Sequence, residues 1–232
     1  MIHIFNDAAT LGNIIIMKWL YRNKYSYDIS SFTVAATNGN LENMKWLHSI
    51  GCPFGTKTFT AAAKFGNLEN MKWLKSNGCP WNAHTFSVAA KFGNLENMKW
   101  LKSNGCPWNY MTFIYATERG NLKNMKWLKK KKCPWHSGIF IMAIKFGDLK
   151  NIYWLINNLY YILSDALFQA AALYGQLKIM KILYDMNCPW STNTFKAAAL
   201  NGNLENIYWL NQMGCPWNSN TFRNTIIYGK NV

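Results

Sequence analysis

The chain has 232 residues and a mass of 26.8 kDa; half of it is hydrophobic and 16% aromatic, enough to bury a core without disulfides or metals. Only 15% is charged, yet 25 Lys and Arg face 10 Asp and Glu, a formal net charge of +15. Low total charge with high aromatic content excludes a disordered chain, and no apolar stretch reaches the ~18 residues of a membrane-spanning helix.

The opening Met-Ile-His-Ile-Phe-Asn-Asp has no basic segment followed by an apolar one, so no secretory leader is expected. From there the scarce residues return at fixed intervals. Glycine recurs every 27 residues from Gly12 through Gly39, Gly66, Gly93, Gly120 and Gly147, steps 28 to Gly175, and resumes at Gly202 and Gly229. All six cysteines precede all six prolines, from Cys52-Pro53 to Cys215-Pro216. The 12 tryptophans occupy two phases: seven residues after the glycine (Trp19 to Trp209), or directly after Cys-Pro (Trp81, Trp108, Trp135, Trp190, Trp217). A fixed period between ~20 and 50 residues marks a repeat array.

Residues 85–111 show one unit. Thr85 is read as the N-cap of a short helix, and Ala89-Ala90 as strong helix formers that allow close packing. Gly93 stops that helix; Asn94 caps the next, with Glu96 at the positive end of its dipole. Leu95, Met98 and Leu101 make an apolar stripe widened by Trp100, and Gly105 with Pro107 ends it. The unit is helix–turn–helix–loop. Such short helices are stable only when stacked on neighbours. The register predicts helix pairs starting near Thr33, Thr60, Ser87, Ile114, Ile141, Gln169, Lys196 and Arg223, without sheet. The expected organisation is one all-α solenoid domain over residues 1–232: eight repeats across about 4–220 and a half repeat at 221–232, leaving no room for a catalytic domain.

The phrase Thr-Phe-x-x-Ala-Ala-x-x-Gly-Asn-Leu-Glu-Asn-Met-Lys-Trp-Leu resembles the first two-thirds of an ankyrin repeat. Thr-Phe replaces the usual Thr-Pro-Leu-His opening, and the period is 27 rather than ~33. The missing residues fall where ankyrins carry a β-hairpin finger, here cut to Cys-Pro-Trp-Asn. With Gly-Cys-Pro-Trp included, the pattern is similar to the short ankyrin-like arrays multiplied in giant DNA viruses of amoebae. The resemblance covers nearly the whole chain and implies a scaffold that binds another protein.

Repeats about 8–10 Å apart place successive cysteines beyond disulfide reach, and no Cys-x-x-Cys builds a zinc site. Buried free thiols in a reducing, intracellular compartment are expected, with no metal and no cofactor. His3, His48, His84 and His136 are scattered, and Glu42, Glu69, Glu96 and Glu205 share one helix-start phase. No phosphate loop or His-Glu-x-x-His appears, so no enzymatic activity is expected. The tryptophans are read mainly as core.

Three surfaces are candidates for binding. Residues 58–138 hold 13 Lys or Arg against three acids. Lys72/Lys75, Lys99/Lys102 and Lys126/Lys129 sit three apart on second helices, stacking into a lysine ladder that continues through Lys130, Lys131 and Lys132. It fits a nucleic-acid or virion-packaging role through phosphates, or equally the codon bias of an A/T-rich genome, since 22 of the 25 cations are Lys and there are 29 Asn. The second surface lies before the glycines: Lys64-Phe65, Lys91-Phe92, Arg119, Lys145-Phe146 and Tyr174. In ankyrins this stretch borders the concave binding surface; the phenylalanines are either exposed anchors or packed beneath a loop. The third is the 28-residue unit, where Tyr160 and Tyr161 stand in a replaced Gly-Cys-Pro-Trp, either as a partner site or as filling for the missing Trp.

Overall fold

Each first helix is started by a reciprocal cap. Asp28 accepts hydrogen bonds from the backbone of Ser30 and Ser31, while the Ser31 hydroxyl accepts from the Asp28 N–H. Asn109 with Thr112 and Ser191 with Thr194 repeat this capping box. Asn82 does the same with Thr85, Oδ1 accepting from Thr85 N at 3.1 Å and Thr85 Oγ1 from Asn82 N at 3.3 Å. Thr85 is therefore the third helical residue and not the cap. The first helices consequently begin three or four residues before the expected Thr33, Thr60, Ser87, Ile114, Ile141, Gln169 and Lys196.

The computed structural model describes residues 2–65, 67–92, 95–218 and 221, with side chains from residue 4 onward. The expected helix at Arg223, most of the half repeat at 221–232, and Gly66, Gly93, Asn94 and Gly229 lie outside them. Among the described residues all regular structure is helical. The chain divides into two compact units, residues 1–135 and 136–232.

The first unit holds five pairs: α1 (Ile2–Thr10) with α2 (Ile14–Arg22), α3 (Ile29–Asn38) with α4 (Leu41–Ser49), and α5 (Thr56–Phe65) with α6 (Leu68–Ser76) come first. They continue with α7 (Ala83–Phe92) and α8 (Leu95–Ser103), then α9 (Tyr110–Glu118) and α10 (Leu122–Lys130). The second unit holds α11 (Gly138–Phe146) with α12 (Leu149–Asn158), α13 (Asp165–Leu173) with α14 (Leu177–Asp185), and α15 (Thr192–Asn201) with α16 (Leu204–Gln212). Within each unit, every first helix packs on the next first helix and on its own second helix. That is the order of a helical repeat stack.

Between the paired helices Gly39, Gly147 and Gly202 take left-handed backbones (φ +78°, +69° and +78°), which a side chain would strain. An asparagine then starts most second helices; Asn40 Oδ1, for example, accepts from Asn43 N at 3.1 Å. The core is one phenylalanine per repeat, Phe5 through Phe195, none more than 2% exposed, beside the Ala-Ala pair and the buried Met and Leu of the second helix. Small alanines let first helices approach closely, and the phenylalanine fills the volume between pairs.

Polar staples tie neighbouring repeats of the first unit. Ser31 donates to Asn6 Oδ1 at 2.6 Å, and the hydroxyls of Thr33 and Thr58, Thr60 and Thr85, and Ser87 and Thr112 lie 3.0–3.2 Å apart. A further polar position, Asn43, Asn70, Asn97, Asn124, Asn151 and Asn206, is buried in the second helices. Asn124 Nδ2 donates to the Ala90 carbonyl of the preceding repeat at 3.0 Å.

Candidate functional site

The loop after each second helix is anchored by its cysteine. Each Sγ lies 3.3–3.7 Å from the carbonyl of the residue that precedes its repeat's first helix, as Cys79 does from Gly55. All six thiols are free and buried. Burial pushes Cys52, Cys79, Cys106 and Cys133 up to about 12 and Cys188 and Cys215 up to about 11. Protonated thiols of this kind are poor nucleophiles and poor metal ligands. Among the described residues no three His, Cys, Asp or Glu side chains gather into a metal-binding group, and no helix is long and apolar enough to cross a membrane.

The tryptophans are not fully buried, because the phenylalanines already occupy the inner volume. They form a second, half-buried layer. Trp81 packs edge-on against Phe59 of its own repeat and Trp100 of the next (5.1 and 5.8 Å between ring centres), and Trp108 likewise lies against Phe86 and Trp127. The ring faces are then capped: Lys75 Nζ sits 3.8 Å from the Trp81 centroid and Lys102 Nζ 3.6 Å from that of Trp108. At the same helical position His48 lies against Phe54 and Tyr184 against Trp190. The expected lysine ladder thus splits. Lys75 and Lys102 are part of the loop's packing, whereas Lys72, Lys99, Lys126, Lys129, Lys130, Lys131 and Lys132 are exposed. Capped indole faces are closed to stacking by unpaired bases.

The first-helix side carries the other candidates. Phe65, Phe92 and Phe146 are 56%, 44% and 48% exposed, so they are surface side chains and do not pack beneath a loop. In the first unit Lys64 Nζ stands 5.0 Å from the Phe65 ring and 5.1 Å from the Phe92 ring, tying two repeats together by a shared cation. Lys91 pairs with Glu118 at 2.6 Å and also approaches Phe92, while Arg119 is exposed beyond them. Between α5 and α7 lies an open groove of about 660 Å³. Its walls include Phe65, Phe92 and Val88 with Lys57, Lys64 and His84, and no carboxylate lines it.

In the second unit, Lys145 reaches 5.8 Å from the Tyr174 ring. A smaller groove of about 480 Å³ runs along α13 and α15, walled by Ile141, Gln169, Leu173, Tyr174, Lys196 and Leu200. The irregular loop separates its two tyrosines. Tyr161 stacks on Phe140 at 4.3 Å, as the loop Trp does elsewhere, so it is a packing residue. Tyr160 and Ile162 are fully or almost fully exposed. With no glycine to turn it, α12 runs one residue longer than the other second helices and leaves through an extended Leu159 (φ −115°, ψ 130°).

Sequence reasoning missed the lysine caps, the hydroxyl staples and the buried asparagines. The constant spacing of Lys75 to Trp81 and Lys102 to Trp108 was the available signal for the caps. Compared with known proteins, the chain matches no family model and no curated sequence.

Proposed function

We propose that the chain is a non-enzymatic, ankyrin-type scaffold that binds an acidic protein segment carrying an apolar anchor on the first-helix face of its first unit. The observation that carries this reading is the groove between α5 and α7: two exposed phenylalanines flank a lysine, with Lys57 and His84 in the same walls and no carboxylate among them. Aromatic anchors beside cations suit an interface, and the unopposed positive charge selects the partner's sign. Six buried protonated thiols suit a reducing compartment, the cytoplasm of an infected cell if the giant-virus resemblance holds.

Affinity purification from cells making the tagged protein tests this reading with two variants. Lys64→Glu with Phe92→Ala is expected to lose a stoichiometric protein that wild type retains, at unchanged melting temperature. Lys72→Glu with Lys99→Glu on the opposite tier is expected to keep it. The reverse pattern, with salt-sensitive retention on polyanionic resin lost only in the second variant, would replace this reading with nucleic-acid or virion-packaging binding through the ladder.

A further inference from the structure

Three positions of each later repeat in the first unit face the repeat before it. The third residue of the first helix does so through the staples, as Thr58 meets Thr33. The third residue of the second helix does so as Asn124 bonds Ala90. The sixth residue of the second helix does so as Trp46 stacks over Phe5 and Trp73 over Phe32. In the first repeat these positions are Ile4, Ile16 and Trp19, and they are 49%, 41% and 57% exposed. Leu11 and Ile15 beside them are 76% and 77% exposed.

A terminal repeat that faces water carries a polar outer surface. Here the pattern is inverted. The other repeats of the first unit place Ser or Thr and Asn at the first two positions and bury them; the first repeat places isoleucines there and exposes them. The repeat of α13 and α14 shows what an aliphatic pair does at these positions: Leu167 and Ile179 are 1% and 0% exposed. The pair belongs to a dry contact.

We propose that this end face is a homodimer interface, in which two copies of the chain pair through Ile4, Ile16 and Trp19 about a twofold axis. The five side chains carry no charge, so two chains of +15 can meet there without opposing ammonium groups. They expose on the order of 600 Å² per copy, the upper end of what monomers leave uncovered and close to one partner's share of a standard interface. An isologous contact needs only a self-complementary patch, and twofold dimers are the commonest closed assembly.

Sedimentation equilibrium of the full chain is expected to give twice 26.8 kDa at micromolar concentration, with dissociation on dilution. Ile16→Glu with Trp19→Ser is expected to weaken the dimer at least 100-fold while leaving the melting temperature of the dissociated chain unchanged, since both side chains are surface residues. Ile15→Cys adds one accessible thiol to six buried ones, and mild oxidation is expected to link two copies through it. A wild-type monomer across the concentration range would overturn the proposal. So would a dimer that survives the double substitution, or one in which Cys at 15 never links to its counterpart.

Discussion

Thr85 joins two functions in one hydroxyl: it completes the cap at Asn82 and meets Thr60 of the preceding repeat at 3.0 Å. Replacing it with valine keeps the shape and nearly the same helix propensity, and removes both bonds. The lost cap partner costs about 1 kcal/mol and the lost staple about 1 kcal/mol more. Thr60→Val removes only the staple, so about 1 kcal/mol is expected. In the double variant the second change finds no bond left to break. Its total should stay near 2 kcal/mol, a coupling of about 1 kcal/mol between residues 25 apart in sequence. Urea unfolding of the four proteins measures this cycle. Additivity of the single effects within about 0.5 kcal/mol would refute the staple as a source of inter-repeat stability.

Tyr161→Ala is expected to cost about 2–3 kcal/mol through the lost stack on Phe140, while Tyr160→Ala stays within about 0.5 kcal/mol; equal effects in thermal melts would show that the two side chains do not divide as their exposure indicates. At pH 8 a thiol reagent should find no reactive cysteine in the folded chain and six in denaturant. Because the folded thiols titrate near 11–12 against an ordinary 9.0, the unfolded chain loses its thiol protons first, and stability should be level below pH 9 and fall above it. Cys79→Ala should fall less steeply than wild type over that range, and an identical slope would argue against burial as the cause.

The helix pairs were legible because their punctuation is chemical. Gly39 and Gly147 occupy backbones that disfavour side chains, and Pro53 and Pro80 cannot continue a helix. Their starts were displaced because threonine serves equally as a cap or as the third residue of a capping box, and only the geometry of Asn82 with Thr85 separates the two. The phenylalanine face was legible as a candidate through its aromatic-and-lysine pairs, but its exposure was not: a phenylalanine before a glycine reads alike whether it faces solvent or a loop. Tryptophan misled for a related reason. Regular recurrence signals a repeated contact, and Trp81 makes one with Phe59 and Trp100 while keeping part of its ring under Lys75. Asn70 is the reverse case, a polar residue whose burial depends on the repeat before it.

The two grooves show how one frame separates stability from recognition. Both are walled by equivalent first-helix positions: Lys57, Thr60 and Lys64 in the first unit stand where Ala166, Gln169 and Leu173 stand in the second. The phenylalanine and alanine pair that fill the core, such as Phe59, Ala62 and Ala63 or Phe168, Ala171 and Ala172, lie on the other side of the same helices and scarcely vary. A side chain on the groove side can therefore change without disturbing a buried neighbour, since the cost of surface substitution stays within about 0.5 kcal/mol. The outcome is visible in the charge. The first groove presents Lys57, Lys64 and His84, whereas Lys196 is the single cation on the walls of the second. Electrostatic selection then assigns an acidic segment to the first groove and leaves the second, smaller and more nearly neutral, to discriminate by shape and apolar contact.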